Sequence, residues 1–298
     1  MKNFRSQSCL VTCLLLFSLL YVSEGQAVHA GAPVNFKFVR NYLVVIPVRV
    51  NGDGPYDFLL DTGTNSTILT PELASRIHLR ATESISLVTL SGVEVVPRAV
   101  LDSLTLGTKS IKRLEVIFDD IKGIRAVNSK ICGVLGQNFL SQFNYLINYR
   151  DRYVEFEENN DLEKRFAGTP LNVEEDDGKM IVRTQTVRPV KETLRLVLDS
   201  GASHLVIFPP ASFRLRIEPE HRESFLVTTN TPGTLVKQGL LHDLSVGEER
   251  IESLPVALIL PEVRFEGRSE DGLLPTSFFQ AILFQNDRHT VILNPRAG

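Results

Sequence analysis

The stretch Leu59-Leu60-Asp61-Thr62-Gly63 decides the fold of this 298-residue chain, because it recurs 138 residues later as Val197-Leu198-Asp199-Ser200-Gly201. A second element, Gly133-Val134-Leu135-Gly136, is matched 139 residues later by Gly272-Leu273-Leu274-Pro275. Two elements that recur in the same order at nearly the same offset are typical of an internal repeat. The sequence therefore predicts two halves of similar structure, each with an Asp at the same place.

Short runs rich in Val, Ile, Leu, Phe and Thr, bounded by Gly, Pro, Asn and Asp, predict an all-β fold with few, short helices. The clearest hairpin joins Tyr42–Val50 to Tyr56–Leu60 through Asn51-Gly52-Asp53-Gly54. Helices of one or two turns are expected at Pro71–Ile77 and Gln137–Gln142.

Four segments follow from the repeat and the composition. A targeting segment at 1–30 precedes a first lobe at 31–160 and a second lobe at 178–298. Between the lobes, 161–177 is acidic and has little apolar pattern, so we interpret it as a solvated linker.

The composition excludes several classes of protein. With 43% apolar and 22% charged residues, the chain is globular and not disordered. Its 32 basic and 35 acidic residues give a net charge of −3. A dedicated nucleic-acid-binding protein would carry a basic surface, so no nucleic-acid partner is expected.

The N-terminus resembles a secretory signal. Lys2 and Arg5 precede an apolar run of 14 residues from Cys9 to Val22, and small residues follow it. That run is shorter than the roughly 20 residues of a membrane-spanning helix. We therefore expect cleavage near Ala30, a secreted or periplasmic mature protein and no stable membrane insertion; an uncleaved membrane anchor is the alternative.

The repeated Asp tripeptide points to chemistry. A single Asp-Ser/Thr-Gly is adequately explained as a turn, because Asp caps turns and Gly tolerates unusual backbone angles. Two copies, each after an apolar strand and at equivalent places in a repeat, favour a site built from the paired carboxylates of Asp61 and Asp199. Two carboxylates held close together share one proton and supply both an acid and a base.

At these residues the sequence resembles the pepsin and retropepsin superfamily of aspartic proteases, as a single chain with two retropepsin-like lobes. The resemblance implies two β-barrel lobes related by a pseudo-twofold axis, with Asp61 and Asp199 as the catalytic pair. It further implies that Thr62 and Ser200 link the two Asp loops by hydrogen bonds, and that Gly63 and Gly201 let the backbone turn close to the carboxylates.

The two loops differ at one position, where Thr64 in the first corresponds to Ala202 in the second. We expect the Thr64 hydroxyl to donate to the outer oxygen of Asp61. That bond would favour a negative charge on Asp61 and place the shared proton on Asp199.

Members of this superfamily close the cleft with a hairpin called a flap. The candidates are Leu87–Val95, with Ser91 and Gly92 at its tip, and Val227–Val236, with Pro232 and Gly233; a plain surface hairpin is the alternative for each. Neither contains a Tyr, so the symmetrical retropepsin arrangement fits better than the pepsin one. Pro275 departs from the expected Gly and makes the packing of the second lobe the less certain part of the prediction.

No metal or cofactor is predicted, because the histidines lack zinc-protease spacing and Cys132 is the sole cysteine outside the N-terminal segment. The expected partner is a peptide or protein substrate lying in the cleft between the lobes. A chain that carries both carboxylates is expected to act as a monomer. The predicted function is an aspartic endopeptidase, and a catalytically silent peptide-binding module is the alternative.

Overall fold

The computed structural model describes residues 32–89, 92–176, 178–188, 190–217, 223–226, 234–259 and 269–297. The predicted signal segment and the residues Ser91, Pro232 and Gly233 lie outside these ranges. Among the described residues, no helix has both the length and the apolar character needed to cross a membrane.

The first half of the chain contains the following strands: β1 Val34–Asn35, β2 Lys37–Val39, β3 Leu43–Val50, β4 Asp53–Leu60, β5 Thr67–Leu69, β6 Glu83–Thr89, β7 Gly92–Leu106, β8 Lys109–Phe118, β9 Gly133–Leu135, β10 Tyr145–Asn148 and β11 Tyr153–Phe156. Its short helices are α1 Pro71–Arg76, α2 Lys122–Val127 and α3 Gln137–Leu140.

The second half continues with helix α4 Asp161–Arg165 and the following strands: β12 Phe166–Ala167, β13 Leu171–Asp176, β14 Lys179–Thr186, β15 Glu192–Asp199, β16 Leu205–Ile207, β17 Glu223–Leu226, β18 Thr234–Val246, β19 Glu249–Ile259, β20 Gly272–Pro275, β21 Ala281–Gln285, β22 Thr290–Leu293 and β23 Arg296–Ala297. It also holds helix α5 Pro209–Leu215 and two 3-10 helices, Thr276–Phe278 and Asn286–Arg288. The mostly β fold is confirmed.

Each half closes into a six-stranded barrel. In the first, the order is β3-β4-β9-β5-β8-β7, and a further pairing of β3 with β7 closes the ring. In the second, the order β14-β15-β20-β16-β19-β18 is closed by β14 with β18. The strands of the two barrels correspond one to one, as the repeat predicts, and we call the barrels the first and second lobes.

The lobes are joined by a sheet with strand order β1-β11-β10-β21-β22-β13. At its centre β10 of the first half pairs antiparallel with β21 of the second, so that Tyr145 faces Phe284. The two rings stack with their centroids 4.7 Å apart. Both side chains are fully buried, so apolar packing continues from one lobe into the other.

The segment 161–177, which we interpret as the linker between the lobes, carries regular structure. It begins with α4, and β13 pairs with both β14 and β22. Two of its acidic side chains have partners distant in sequence, since Glu163 forms an ion pair with Arg288 and Glu174 forms one with Arg195. The acidic residues of this segment are compatible with either a strand of the sheet or a solvated linker, so the sequence alone could not distinguish the two.

The hairpin signal at Asn51-Gly52 is confirmed. Both residues have positive φ, 52° and 82°, which is what a two-residue turn of this hand requires. Strand β4, which the turn starts, runs directly into Asp61.

Candidate active site

The two Asp residues lie at the ends of equivalent strands. Asp61 follows β4, whose Leu60 pairs with Leu135 in the parallel strand β9. Asp199 ends β15 and pairs with Pro275 in the parallel strand β20. Each carboxyl is therefore positioned by a buried parallel pair of its own lobe.

Pro275 fits its position without disturbing this arrangement. Its φ of −59° is close to the value that the proline ring imposes, and it precedes a 3-10 helix at Thr276–Phe278. In the first lobe the equivalent residue is Gly136, where a Cβ would lie 2.4 Å from the carbonyl oxygen of Ser66. The first lobe thus requires glycine here, whereas the second accommodates proline.

The carboxyl groups of Asp61 and Asp199 interact with each other, and each affects the pKa of the other. They are buried, with 8% and 7% of their surfaces exposed. Burial raises the pKa of both, and the charge of Asp61 adds to the rise at Asp199, whose pKa lies well above its usual value. The pair therefore retains a proton at a pH where two exposed carboxyls would both be ionised.

Backbone N–H groups fix the carboxylate oxygens. Gly63 donates to Oδ1 of Asp61 at 2.8 Å. Gly201 and Ala202 donate to Oδ1 of Asp199 at 2.7 and 3.1 Å. These bonds fix the orientation of each carboxyl relative to the backbone of its own loop.

The predicted cross-link between the loops is present and reciprocal. The Thr62 hydroxyl donates to the carbonyl of Leu198 (2.7 Å) and accepts from the Ser200 N–H (3.0 Å). The Ser200 hydroxyl donates to the carbonyl of Leu60 (2.8 Å) and accepts from the Thr62 N–H (3.0 Å). Four buried hydrogen bonds therefore determine how closely the two Asp residues approach.

The expected bond from the Thr64 hydroxyl to Asp61 is absent among the hydrogen bonds of the described residues. Thr64 Oγ1 instead accepts a long bond, 3.5 Å, from the N–H of Ser66. The Thr64 hydroxyl therefore does not distinguish the two carboxyls, and burial is the main cause of the raised pKa of both.

A layer of buried polar residues behind the loops was not anticipated from the sequence. Gln137 Nε2 donates to the carbonyl of Thr62 at 3.0 Å. The hydroxyls of Tyr149 and Thr276 hydrogen-bond to each other across the lobes. Gln137 and Thr276 follow Gly136 and Pro275, so extending the repeat by one residue would have identified both.

The flap candidates are paired strands in both lobes. In the first, β6 and β7 form a hairpin whose last pair is Thr89 with Gly92. In the second, β17 pairs with β18, and the tip lies outside the described residues. Their role over the cleft remains a prediction.

Over the described ranges, no group of three or more His, Cys, Asp or Glu side chains is placed to hold a metal ion. The chemistry that the described side chains can perform at this site is acid–base work by the two carboxyls.

Removing the Thr62 hydroxyl is expected to destabilise the protein. In Thr62→Val the Ser200 N–H and the Leu198 carbonyl lose their partner while buried, at a cost of roughly 2–5 kcal/mol. Thr62→Ser keeps the hydroxyl and is the matched control. Urea unfolding of both variants measures the difference, and equal stabilities would show that the cross-link does not hold the lobes together.

Comparison with known proteins identifies a matching family and a similar structure. A family model described as aspartyl protease matches residues 46–139 and 186–278, which together are more than half of the chain and include both Asp loops. The crystal structure of a retropepsin-like aspartic protease from Rickettsia conorii is similar at 18% identity and a TM-score of 0.30, over 42% of this chain and 88% of that one. No curated protein matches the chain.

Proposed function

Because this chain belongs to the aspartyl protease family, we propose that it is an endopeptidase that hydrolyses peptide bonds with Asp61 and Asp199 as its catalytic residues. The observation that carries the proposal is the pair of buried carboxyls with raised pKa values, held by a reciprocal cross-link between equivalent loops. The substrate is an extended peptide segment lying between the lobes.

The proposed mechanism uses both protonation states at once. The ionised carboxylate takes a proton from a water molecule, whose oxygen attacks the carbonyl carbon of the scissile bond. The protonated carboxyl donates a hydrogen bond to the carbonyl oxygen and stabilises the developing charge. When the intermediate collapses, the C–N bond breaks, the amine leaves with a proton from the pair, and the products are a carboxylic acid and an amine.

Burial serves this mechanism because it keeps one proton on the pair. Two ionised carboxylates in contact in a poorly solvated site repel each other strongly. The singly protonated form is therefore the stable one over an interval of pH that begins where the first carboxyl ionises and ends where the second does.

The experiment is cleavage of unstructured peptides from a mixed library between about pH 3 and pH 8. The expected profile of kcat/KM is bell-shaped, since the acidic limb reports protonation of the base and the basic limb reports loss of the shared proton. Because the pKa of Asp199 is raised well above its usual value, the basic limb lies well above the pKa of an ordinary carboxyl. A flat profile, or activity that rises without limit toward high pH, would contradict a shared-proton pair.

A further inference from the structure

A cavity of about 450 Å³ opens beside the Asp61 loop. Asn65 and Ser66, four and five residues after Asp61, form part of its wall, and Gln137, which donates to the carbonyl of Thr62, forms another part. The opposite wall comes from the candidate flap and its neighbours: Ile85 of β6, Arg98 of β7, and Arg113 and Glu115 of β8. Asn65 and Ser66 place the cavity a few residues along the first loop from Asp61, a separation that an extended peptide can span at about 3.3 Å per residue.

Two of the three charged side chains in this wall already have partners. Arg98 donates to Glu83 through Nε and Nη2, and to Glu115 through Nη1 at 2.9 Å. Its guanidinium lies between two carboxylates and is 28% exposed. This arrangement neutralises Glu115 and fixes Arg98 as a rigid side of the cavity.

Arg113 differs from Arg98. It lines the same cavity, yet it has no ion pair or hydrogen bond with any residue in the described parts of the chain. A guanidinium carries five N–H donors in a planar fork that matches a carboxylate. Because Arg98 is paired with carboxylates, Arg113 is the guanidinium of this wall whose donors are open to an anionic occupant.

The second lobe lacks these charges at the equivalent positions. Val116 pairs with Thr67 and Ala99, just as Val256 pairs with Leu205 and Gly239. This correspondence between β8 and β19 fixes the equivalence of the residues on either side.

Counting along the strands from these two valines, Arg113 corresponds to Ser253 and Glu115 to Pro255. The backbone supports the alignment, because Arg113 and Ser253 both have positive φ, 55° and 56°. Arg98, which pairs beside Ala99, corresponds to Gln238. The charged wall is thus a property of one lobe in an otherwise symmetrical site.

We propose that this cavity is a specificity subsite for an acidic side chain of the substrate, and that Arg113 binds its carboxylate. The inference rests on the proposed function. Because the equivalent positions of the second lobe are neutral, the preference applies on one side of the scissile bond only, and it sets the direction in which the substrate lies across the pair.

The test begins with the sequences that the enzyme cleaves in a library of peptides from denatured proteins. Asp and Glu are expected to be enriched at one position on one side of the cleavage site. A pair of peptides that differ only as Glu or Gln at that position is then compared. The wild-type enzyme is expected to have a kcat/KM about tenfold higher for the Glu peptide, as one charge-assisted hydrogen bond provides.

Arg113→Gln is expected to reduce the ratio of the two kcat/KM values to about one. Ser253→Gln, at the equivalent position of the second lobe, is the matched control and keeps the wild-type ratio. Arg113→Glu is expected to reverse the preference toward a Lys peptide at the same position. Cleavage of both peptides with a ratio of one in the wild type would overturn the subsite while the proposed function stands.

A binding measurement separates the subsite from catalysis. Fluorescently labelled Glu and Gln peptides are titrated with the Asp199→Asn variant. The change in fluorescence reports binding, so the measurement needs no turnover. The subsite is supported if the Glu peptide binds more tightly than the Gln peptide and if this difference disappears in the double variant that carries both Asp199→Asn and Arg113→Gln. This result holds even if the protein cleaves nothing. Equal binding of both peptides, or binding of neither, overturns it.

Discussion

Asp61→Asn and Asp199→Asn each lower kcat/KM for peptide cleavage by about 10³-fold or more. The asparagine amide has nearly the shape of the carboxyl but can neither accept nor release the transferred proton at this pH. Because one carboxyl of the pair supplies the base and the other the acid, neither can replace the other. The measurement is steady-state cleavage of one peptide by wild type and both variants at the optimum of the pH profile.

Both variants are expected to remain folded. The change in their free energy of unfolding measures how much the buried carboxyl pair destabilises the wild type. Burial raises the pKa of Asp199 above its usual value of 3.8, so the folded protein holds a proton that the unfolded chain releases. Stability of the wild type therefore falls as pH rises from the unfolded pKa to the folded one. Asp199→Asn, which carries no charge, is expected to be more stable than wild type at neutral pH, with the difference disappearing below about pH 3.8. Thermal unfolding at both pH values measures it.

Asp102→Asn is the control for these substitutions, because Asp102 is exposed on β7 and outside the active-site loops. Its activity and stability should equal those of the wild type. Full activity of either Asp61→Asn or Asp199→Asn would show that the reaction does not use the pair.

The pairing of Asp61 with Asp199 was predictable from the sequence because the evidence for it is local and repeated. Asp61 and Asp199 each sit in a tripeptide after an apolar strand, and the repeat requires them to occupy equivalent places. A pseudo-twofold arrangement brings equivalent points near its axis together. The cross-link of Thr62 and Ser200 follows from the same symmetry.

The repeat, extended by one residue, marks Gln137 and Thr276 as equivalent, but the contacts of this layer were not predictable, because they depend on packing between distant segments. Tyr149 and Thr276 are 127 residues apart and share no motif. Their hydrogen bond exists because the sheet between the lobes brings β10 beside β21. Similarly, the hydroxyl of Thr64 had a local alternative partner in the N–H of Ser66, which composition and spacing do not reveal.

Glycine at position 63 is required by the opposite lobe. A Cβ added there would lie 2.5 Å from Cγ of Asp199 and within 2.7 Å of both carboxylate oxygens. Asp199 cannot easily turn away, since Oδ1 is held by the N–H groups of Gly201 and Ala202. The reciprocal contact is looser, because a Cβ at Gly201 would lie 2.9 Å from Cγ of Asp61.

Gly63→Ala is therefore expected to lower kcat by about 10²-fold or more, through displacement of the Asp199 carboxyl from its partner. Overpacking costs the fold roughly 1–3 kcal/mol as well. The rise in KM should be smaller than the fall in kcat, because the added methyl group contacts the Asp61–Asp199 pair and lies outside the proposed subsite. Gly201→Ala, with its longer contacts, should lose less activity than Gly63→Ala.

Gly52→Ala separates the activity effect from a general loss of stability. Gly52 has a φ of +82° and no atom within 4 Å of an added Cβ. Alanine there strains the turn by about 1 kcal/mol but touches nothing, so Tm falls while kcat stays at the wild-type value. The contradicting outcome is an equal loss of Tm in Gly63→Ala and Gly52→Ala with the full wild-type kcat in both. In that case the close approach of Gly63 to Asp199 would have no part in setting the geometry of the pair.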